Sequence, residues 1–278
     1  MPFLELFDET LDINSVEHYD LSVQMSRDGV AFSVLDTIRN KFILLRSYDP
    51  DPNKKFAIEQ IEEIVNKDDF LNRKYRRTKL VMPSLRSTLV PAPLYDPGRK
   101  DEYFAFNHSQ GMTGVILSNR ISNPDSFLLF ETDKLIYEFA SRFFKGAYPE
   151  HHLKILLELL SHASGNSSGH VVHAHIEPDF FNLIVFENNN LIFDNSFNYR
   201  NISDILYFIL NVFSSTGIGQ EGSITLSGNI EMYDELYSNL AQYIRSVKFA
   251  EPHGTFNFSY VFNELGIHRY INLFNAAN

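Results

Sequence analysis

The chain has 278 residues, 44% hydrophobic and 21% charged, enough apolar material to bury a core in two domains of ordinary size. It has no cysteine, which excludes disulfides, thiolate zinc sites and a cysteine nucleophile, and its formal net charge of -11 disfavours general binding to nucleic acid. The acidic N-terminus, Met1 to Asp12, lacks the cationic start and apolar run of a signal peptide, and the longest apolar stretch, Ile205 to Gln220, is too short and polar to span a bilayer, so a cytoplasmic protein without membrane insertion is expected.

Tyr19 to Met25 alternates apolar and polar residues as a half-buried strand requires. Arg27-Asp28-Gly29 reads as a hairpin turn, with Asp and Gly supplying positive φ, and strands Val30 to Asp36 and Lys41 to Tyr48 complete a meander. Pro50 and Pro52 end it. Asn53 is placed to cap a helix on which Phe56, Ile58, Ile61, Ile64 and Val65 recur near helical spacing, and a strand at Lys79 to Met82 follows. Between them, Arg73, Lys74, Arg76, Arg77 and Lys79 put five positive charges into seven residues, a solvated helix end or a patch for an anionic partner. If the patch docks such a partner, replacing Arg76 and Arg77 with Glu should abolish binding without lowering the melting temperature.

Pro83 to Pro97 reads as irregular, Thr113 to Ile121 and Ser126 to Phe130 as strands, and Asp133 to Phe144 and Pro149 to Ala163 as helices, with His151 and His152 exposed near the start of the second. Ala163 to Gly169 is small, polar and glycine-containing, a linker that divides residues 1–165 from residues 166–278. Beyond it the first half's order returns: strands Val171 to Ile176, Phe180 to Glu187 and Leu191 to Tyr199, turns at Pro178-Asp179 and Asn188 to Asn190, a helix capped by Ser203, and a strand at Ser223 to Ser227. The correspondence is a constant shift of 151 positions, which brings Asp28 onto Asp179, Val34 onto Val185, Asp36 onto Glu187, Ile43 onto Asp194 and Tyr48 onto Tyr199. Preserved punctuation and β-β-β-α-β order mark an internal repeat better than residue identity does.

This doubled arrangement resembles the ribonuclease H-like unit in tandem, as in actin-like ATPases. Phe7-Asp8-Glu9-Thr10-Leu11-Asp12, Leu191-Ile192-Phe193-Asp194-Asn195-Ser196-Phe197 and Ile224-Thr225-Leu226-Ser227-Gly228 resemble a bacterial domain family of unknown function with that fold. The resemblance implies an α/β fold of two such units with mixed sheets and helices. It also implies where nucleotide would sit, since actin-like enzymes hold ATP phosphates and Mg²⁺ between two hairpins through acidic residues and glycine-rich turn backbone. Here the first hairpin offers Ser26, Asp28 and Gly29, and the second Glu177-Pro178-Asp179-Phe180, where Pro178 has no amide hydrogen and Phe180 adds bulk. One glycine, Gly228, stands where the adenosine motif has adjacent glycines.

Gly217-Ile218-Gly219-Gln220-Glu221-Gly222 matches the dinucleotide fingerprint in letters but leaves a helix and enters a strand, the inverse of what phosphate binding needs, and reads as a helix end and loop. His173, His175 and Glu177 share a strand face, and the first-half positions Ser22, Gln24 and Ser26 are polar too, so this face reads as a cleft lining and no metal is expected. A ribonuclease H-type nuclease is excluded because Asp20 and Glu59 or Glu62 lack a partner acid on the fourth strand. The expectation is a non-catalytic protein-interaction or scaffold protein with an unknown protein partner, no cofactor and a degenerate cleft composed of Ser26, Asp28, Gly29, His175, Glu177, Asp179 and Gly228. The alternative is a Mg-ATP-binding ATPase or kinase-like enzyme.

Overall fold

The computed structural model describes residues 1–50, 54–108, 113–165 and 169–277. The first part of the chain runs through β1 (Leu4–Phe7), β2 (Tyr19–Ser26), β3 (Gly29–Asp36), β4 (Lys41–Tyr48), α1 (Ile58–Lys67), β5 (Arg77–Met82), β6 (Ser87–Pro91), α2 (Lys100–Asn107), β7 (Val115–Ile121), β8 (Ser126–Thr132), α3 (Lys134–Phe143) and β9 (Pro149–His151). It continues through α4 (His152–Gly165), β10 (His170–Ile176), β11 (Phe180–Glu187), β12 (Asn190–Asn198), α5 (Ile202–Ser215), β13 (Ser223–Gly228), α6 (Glu235–Tyr243), β14 (Ser246–Phe249), β15 (Asn257–Phe258) and α7 (Ile271–Asn275).

Two mixed sheets carry the same strand pattern. The first has the order β1-β4-β3-β2-β5-β9 with β15 beside β4, and the second the order β12-β11-β10-β13-β14. In each, a meander of three antiparallel strands is followed by a helix and by parallel strands next to the meander's first strand. Both meanders slip register at one place, between Val34 and Leu35 in the first and between Val185 and Phe186 in the second, positions related by the 151-residue shift. A third sheet, β6-β8-β7, is inserted in the first half with α2 against it.

Tyr19, Leu21, Val23 and Met25 on one face of β2 pack with α1 and α3, while Val172, Ala174 and Ile176 of β10 pack with α5 and α6. The opposite faces meet α4 and the C-terminal segment. Leu153, Leu156, Leu157 and Leu160 of α4 are buried against Ile184 and Phe186, each contributing about 1.5–3 kcal/mol of burial.

Several local expectations are corrected. The β2–β3 turn is closed by Ser26 Oγ, which accepts from Asp28 N at 3.0 Å, and neither Asp28 nor Gly29 takes a positive φ; Asn40, Asn188 and Asn189 do so at the outer turns. The helix expected from Asn53 starts at Ile58 after Ala57, and Asn53 itself lies outside the described residues. Asn201, rather than Ser203, caps α5 by accepting from Asp204 N. The stretch Pro83 to Pro97 contains strand β6, paired with β8. Pro149 opens β9 instead of a helix, because the sheet edge beyond β5 tolerates a residue without an amide hydrogen, and Asn119 holds the short strand by bonding both Pro149 O and His151 N. In the expected linker, α4 continues to Gly165; residues 166–168, and with them the start of the second expected domain, lie outside the described residues.

Candidate functional site

The β2–β3 and β10–β11 hairpins point their tips at a common cavity of about 320 Å³. Ser26, Asp28 and Gly29 line it from the first hairpin, Glu177 and Pro178 from the second, and Gly228 from the end of β13. Asp49, Lys54, Arg269 and Tyr270 add a rim that the sequence did not point to.

Lys55, just before α1, decides the electrostatics of the tips. Its Nζ lies 3.2 Å from Asp28 Oδ1 and 2.5 Å from Asp179 Oδ2, so a single ammonium bridges the two hairpins. Burial works to lower the Lys55 pKa, but the bonds to Asp179 and Asp28 outweigh it and raise the value, keeping the side chain protonated. Asp28 is shifted upward because burial exceeds the opposing pull of Lys55, and burial raises Glu177 and Asp49 as well. The cavity thus gathers carboxyls that burial discourages from ionising around cations already committed to protein.

Each hairpin is held from behind. Arg27 donates through Nε to Asp133 Oδ2 at 2.9 Å and through Nη1 to Phe56 O, and Asp133 also caps α3. On the second hairpin Glu177 N donates to Phe180 O, and Tyr199 Oη donates to Glu177 O at 2.6 Å. The Phe180 ring turns inward against His152 and does not add the expected bulk at the tip, where Pro178 and Lys55 remain as obstacles. Gly228 serves the backbone: at φ +84° it passes so close to β10 that Asn229 N bonds Ile176 O at 2.7 Å.

Beneath the cavity runs a buried polar seam. His175 sits between Glu177 Oε1, 3.1 Å from Nε2, and Ser227 Oγ, 2.7 Å from Nδ1; Asn272 of α7 also reaches its Nε2 at 3.2 Å. His173 Nε2 meets the same Ser227 hydroxyl at 2.8 Å. His152 bonds Asn182 Oδ1 and His151 bonds Ser84, and both are fully buried rather than exposed as expected, since the strand–helix junction at β9 and α4 lies between the sheets. No group of three or more His, Asp or Glu side chains is placed to hold a metal ion among the described residues.

A family model described as protein of unknown function (DUF3822) matches residues 8–247. The chain belongs to that family. Its fold is that of the actin-like ATPases: a Bacteroides thetaiotaomicron protein with actin-like ATPase fold and unknown function is 22% identical, covers 87% of this chain and 94% of its own, and superposes with a TM-score of 0.76. A chain of the PilM–PilN type IV pilus biogenesis complex is 10% identical over 93% of this chain and 96% of its own, with a TM-score of 0.61. No curated protein matches. Within this family member, the five basic residues after α1 divide: Arg76 and Arg77 both pair with Asp20, Lys79 faces Glu150 at 3.4 Å, and Arg73 and Lys74 stay at the surface. They precede and enter a strand, so they are not a helix end. No helix among the described residues is long and apolar enough to cross a membrane.

Proposed function

We propose that this chain is a non-catalytic protein-interaction or scaffold protein that keeps the actin-like fold around a degenerate nucleotide cleft. The observation that carries the proposal is Lys55 bridging Asp28 and Asp179. The resemblance to actin-like ATPases implies that carboxylates at the hairpin tips serve a divalent cation, and here an ammonium from the chain itself is bonded to both. The second tip also lacks a donor at Pro178, so the residues present do not fit a triphosphate–metal complex. An interaction role is an available use of this fold, since one structural neighbour carries it within a PilM–PilN complex.

The test is a thermal-shift titration with Mg-ATP. A ligand that binds only the native state stabilises by about 2.7 kcal/mol at a concentration one hundred times its Kd, which reads as several degrees. The melting temperature is expected to stay unchanged up to millimolar nucleotide. A dose-dependent rise that Asp179→Ala removes would establish the alternative, a Mg-ATP-binding ATPase or kinase-like enzyme.

A further inference from the structure

Segment 71–78, ahead of and into β5, forms one wall of a groove of about 620 Å³, and residues 143–147 at the end of α3 form the other. Leu71, Tyr75 and Phe144 are buried along it and supply an apolar lining. Arg73, Lys74, Arg76 and Arg77 line it from one wall and Lys145 from the other, and among the described residues no acidic one lines it. In a chain of formal net charge -11 this concentration runs against the overall balance.

We infer that this groove docks a segment of a partner protein in which acidic and apolar side chains alternate. The inference rests on the interaction reading above and names the partner's chemistry. Arg76 grips Asp20 through Nε and Nη2 at 2.8 and 2.6 Å, and Arg77 reaches the same carboxylate through Nε at 3.1 Å. Asp20 is buried, so the two guanidinium planes are held in place before a partner arrives and less side-chain entropy is lost on binding. Among the described residues Lys74 and Lys145 form no ion pair, and the Arg73 side chain donates to the Asp69 carbonyl. Carboxylates of an incoming segment meet these cations while its apolar residues cover the floor. A nucleic acid fits less well, because the overall negative charge repels a long phosphate backbone.

The same geometry corrects the choice of variant. Glu at Arg76 and Arg77 would bring new carboxylates beside buried Asp20 and remove both its partners, so that pair is expected to lower the melting temperature and is unsuitable as a binding probe. Arg73→Glu/Lys74→Glu/Lys145→Glu leaves the Asp20 cluster intact. Fluorescence anisotropy on the full chain, without nucleotide, would compare a labelled peptide alternating Glu and Leu, one alternating Lys and Leu, and single-stranded oligothymidylate. The Glu–Leu peptide is expected to bind, to weaken as salt rises from about 50 to about 300 mM, and to lose at least about tenfold in affinity on the triple variant, whose melting temperature stays within about 2 °C of the parent. Equal binding to parent and variant, equal binding of the Lys–Leu peptide, or tighter binding of the oligonucleotide overturns the inference. Each of these leaves the Lys55 argument untouched, while a Mg-ATP shift would overturn that argument and not this one.

Discussion

A side chain at position 228 has no room. Gly228 lies at φ +84°, where an L-residue costs about 1–2 kcal/mol, and a Cβ there would overlap the Ile176 carbonyl oxygen and approach Ile176 N to 3.0 Å. Backbone on β10 cannot yield without breaking its pairing with β13, so overpacking adds about 1–3 kcal/mol more. Gly217, at φ +73° with nothing near its would-be Cβ, isolates the first cost. Gly228→Ala is expected to lose about 3 kcal/mol by denaturant unfolding, and Gly217→Ala about 1 kcal/mol. Equal losses would show that the strand approach is not what demands glycine. The one glycine retained at the adenosine-motif position is therefore explained by packing, without nucleotide.

At the scale of elements, the junction of β9 and α4 with β10 is a seam of neutral histidines. Burial depresses His152 to about 4 and His173 and His175 to about 3, and holds His151 well below its ordinary value. Each protonates in the unfolded chain near pH 6.5 and resists doing so in the native state, so acidification favours unfolding. Acids oppose this: burial raises Asp194 to about 7, its Oδ1 sealed off without a partner, and raises Glu177. Four histidines outweigh Asp194, while the raised Glu177, Asp28 and Asp49 offset part of the effect, so unfolding takes up protons as pH falls below about 6.5 and stability is expected to fall on acidification. His173→Gln, which preserves a polar group near Ser227 Oγ, should flatten that slope by about one proton, read as melting temperature against pH. A melting temperature that rises on acidification, or a variant of unchanged slope, would contradict the seam's role. None of this seam was legible as such in the sequence. His173, His175 and Glu177 showed their shared face through strand alternation, but the burial of His151 and His152 depends on Asn119, Ser84 and Asn182, brought there by tertiary packing. Strands and turns bounded by Asn, Asp, Gly and Pro were readable because those residues act locally, and the two register slips fall at the Val34 and Val185 already matched by the 151-residue shift. By contrast α2 presents only Phe104 to the core, β9 is three residues opened by proline, and Lys55 acquires its meaning only when Asp179, 124 residues away, is folded against it.

The C-terminal segment sets how the molecule behaves as a whole. After β14 the chain leaves the second sheet, adds β15 in parallel to β4 of the first, and sends Ser259 Oγ to the buried Asp8 carboxylate, which Lys41 also engages. Burial tends to raise the Asp8 pKa, but the Lys41, Ser259 and Thr10 bonds prevail and hold the group ionised well below the ordinary carboxylate range. Next α7 crosses back: Phe274 packs against Phe42, Phe258 and Phe262, with ring centroids 4.8, 5.1 and 6.0 Å apart, while Ile271 joins the α4 leucines and Asn272 reaches His175 on the second sheet. One short helix therefore belongs to the cores of both halves, so neither half can open without disturbing the other. Calorimetry of the parent chain is expected to give a single unfolding transition with equal calorimetric and van't Hoff enthalpies. Phe274→Ala removes a fully buried ring at a cost of about 3–5 kcal/mol, and because that cost falls on the shared element it should both lower the melting temperature by roughly 6–20 °C and broaden or split the transition. Two resolved transitions in the parent would mean that the halves unfold independently, and a variant that melts lower yet stays as sharp and two-state would mean that they are coupled by something other than α7.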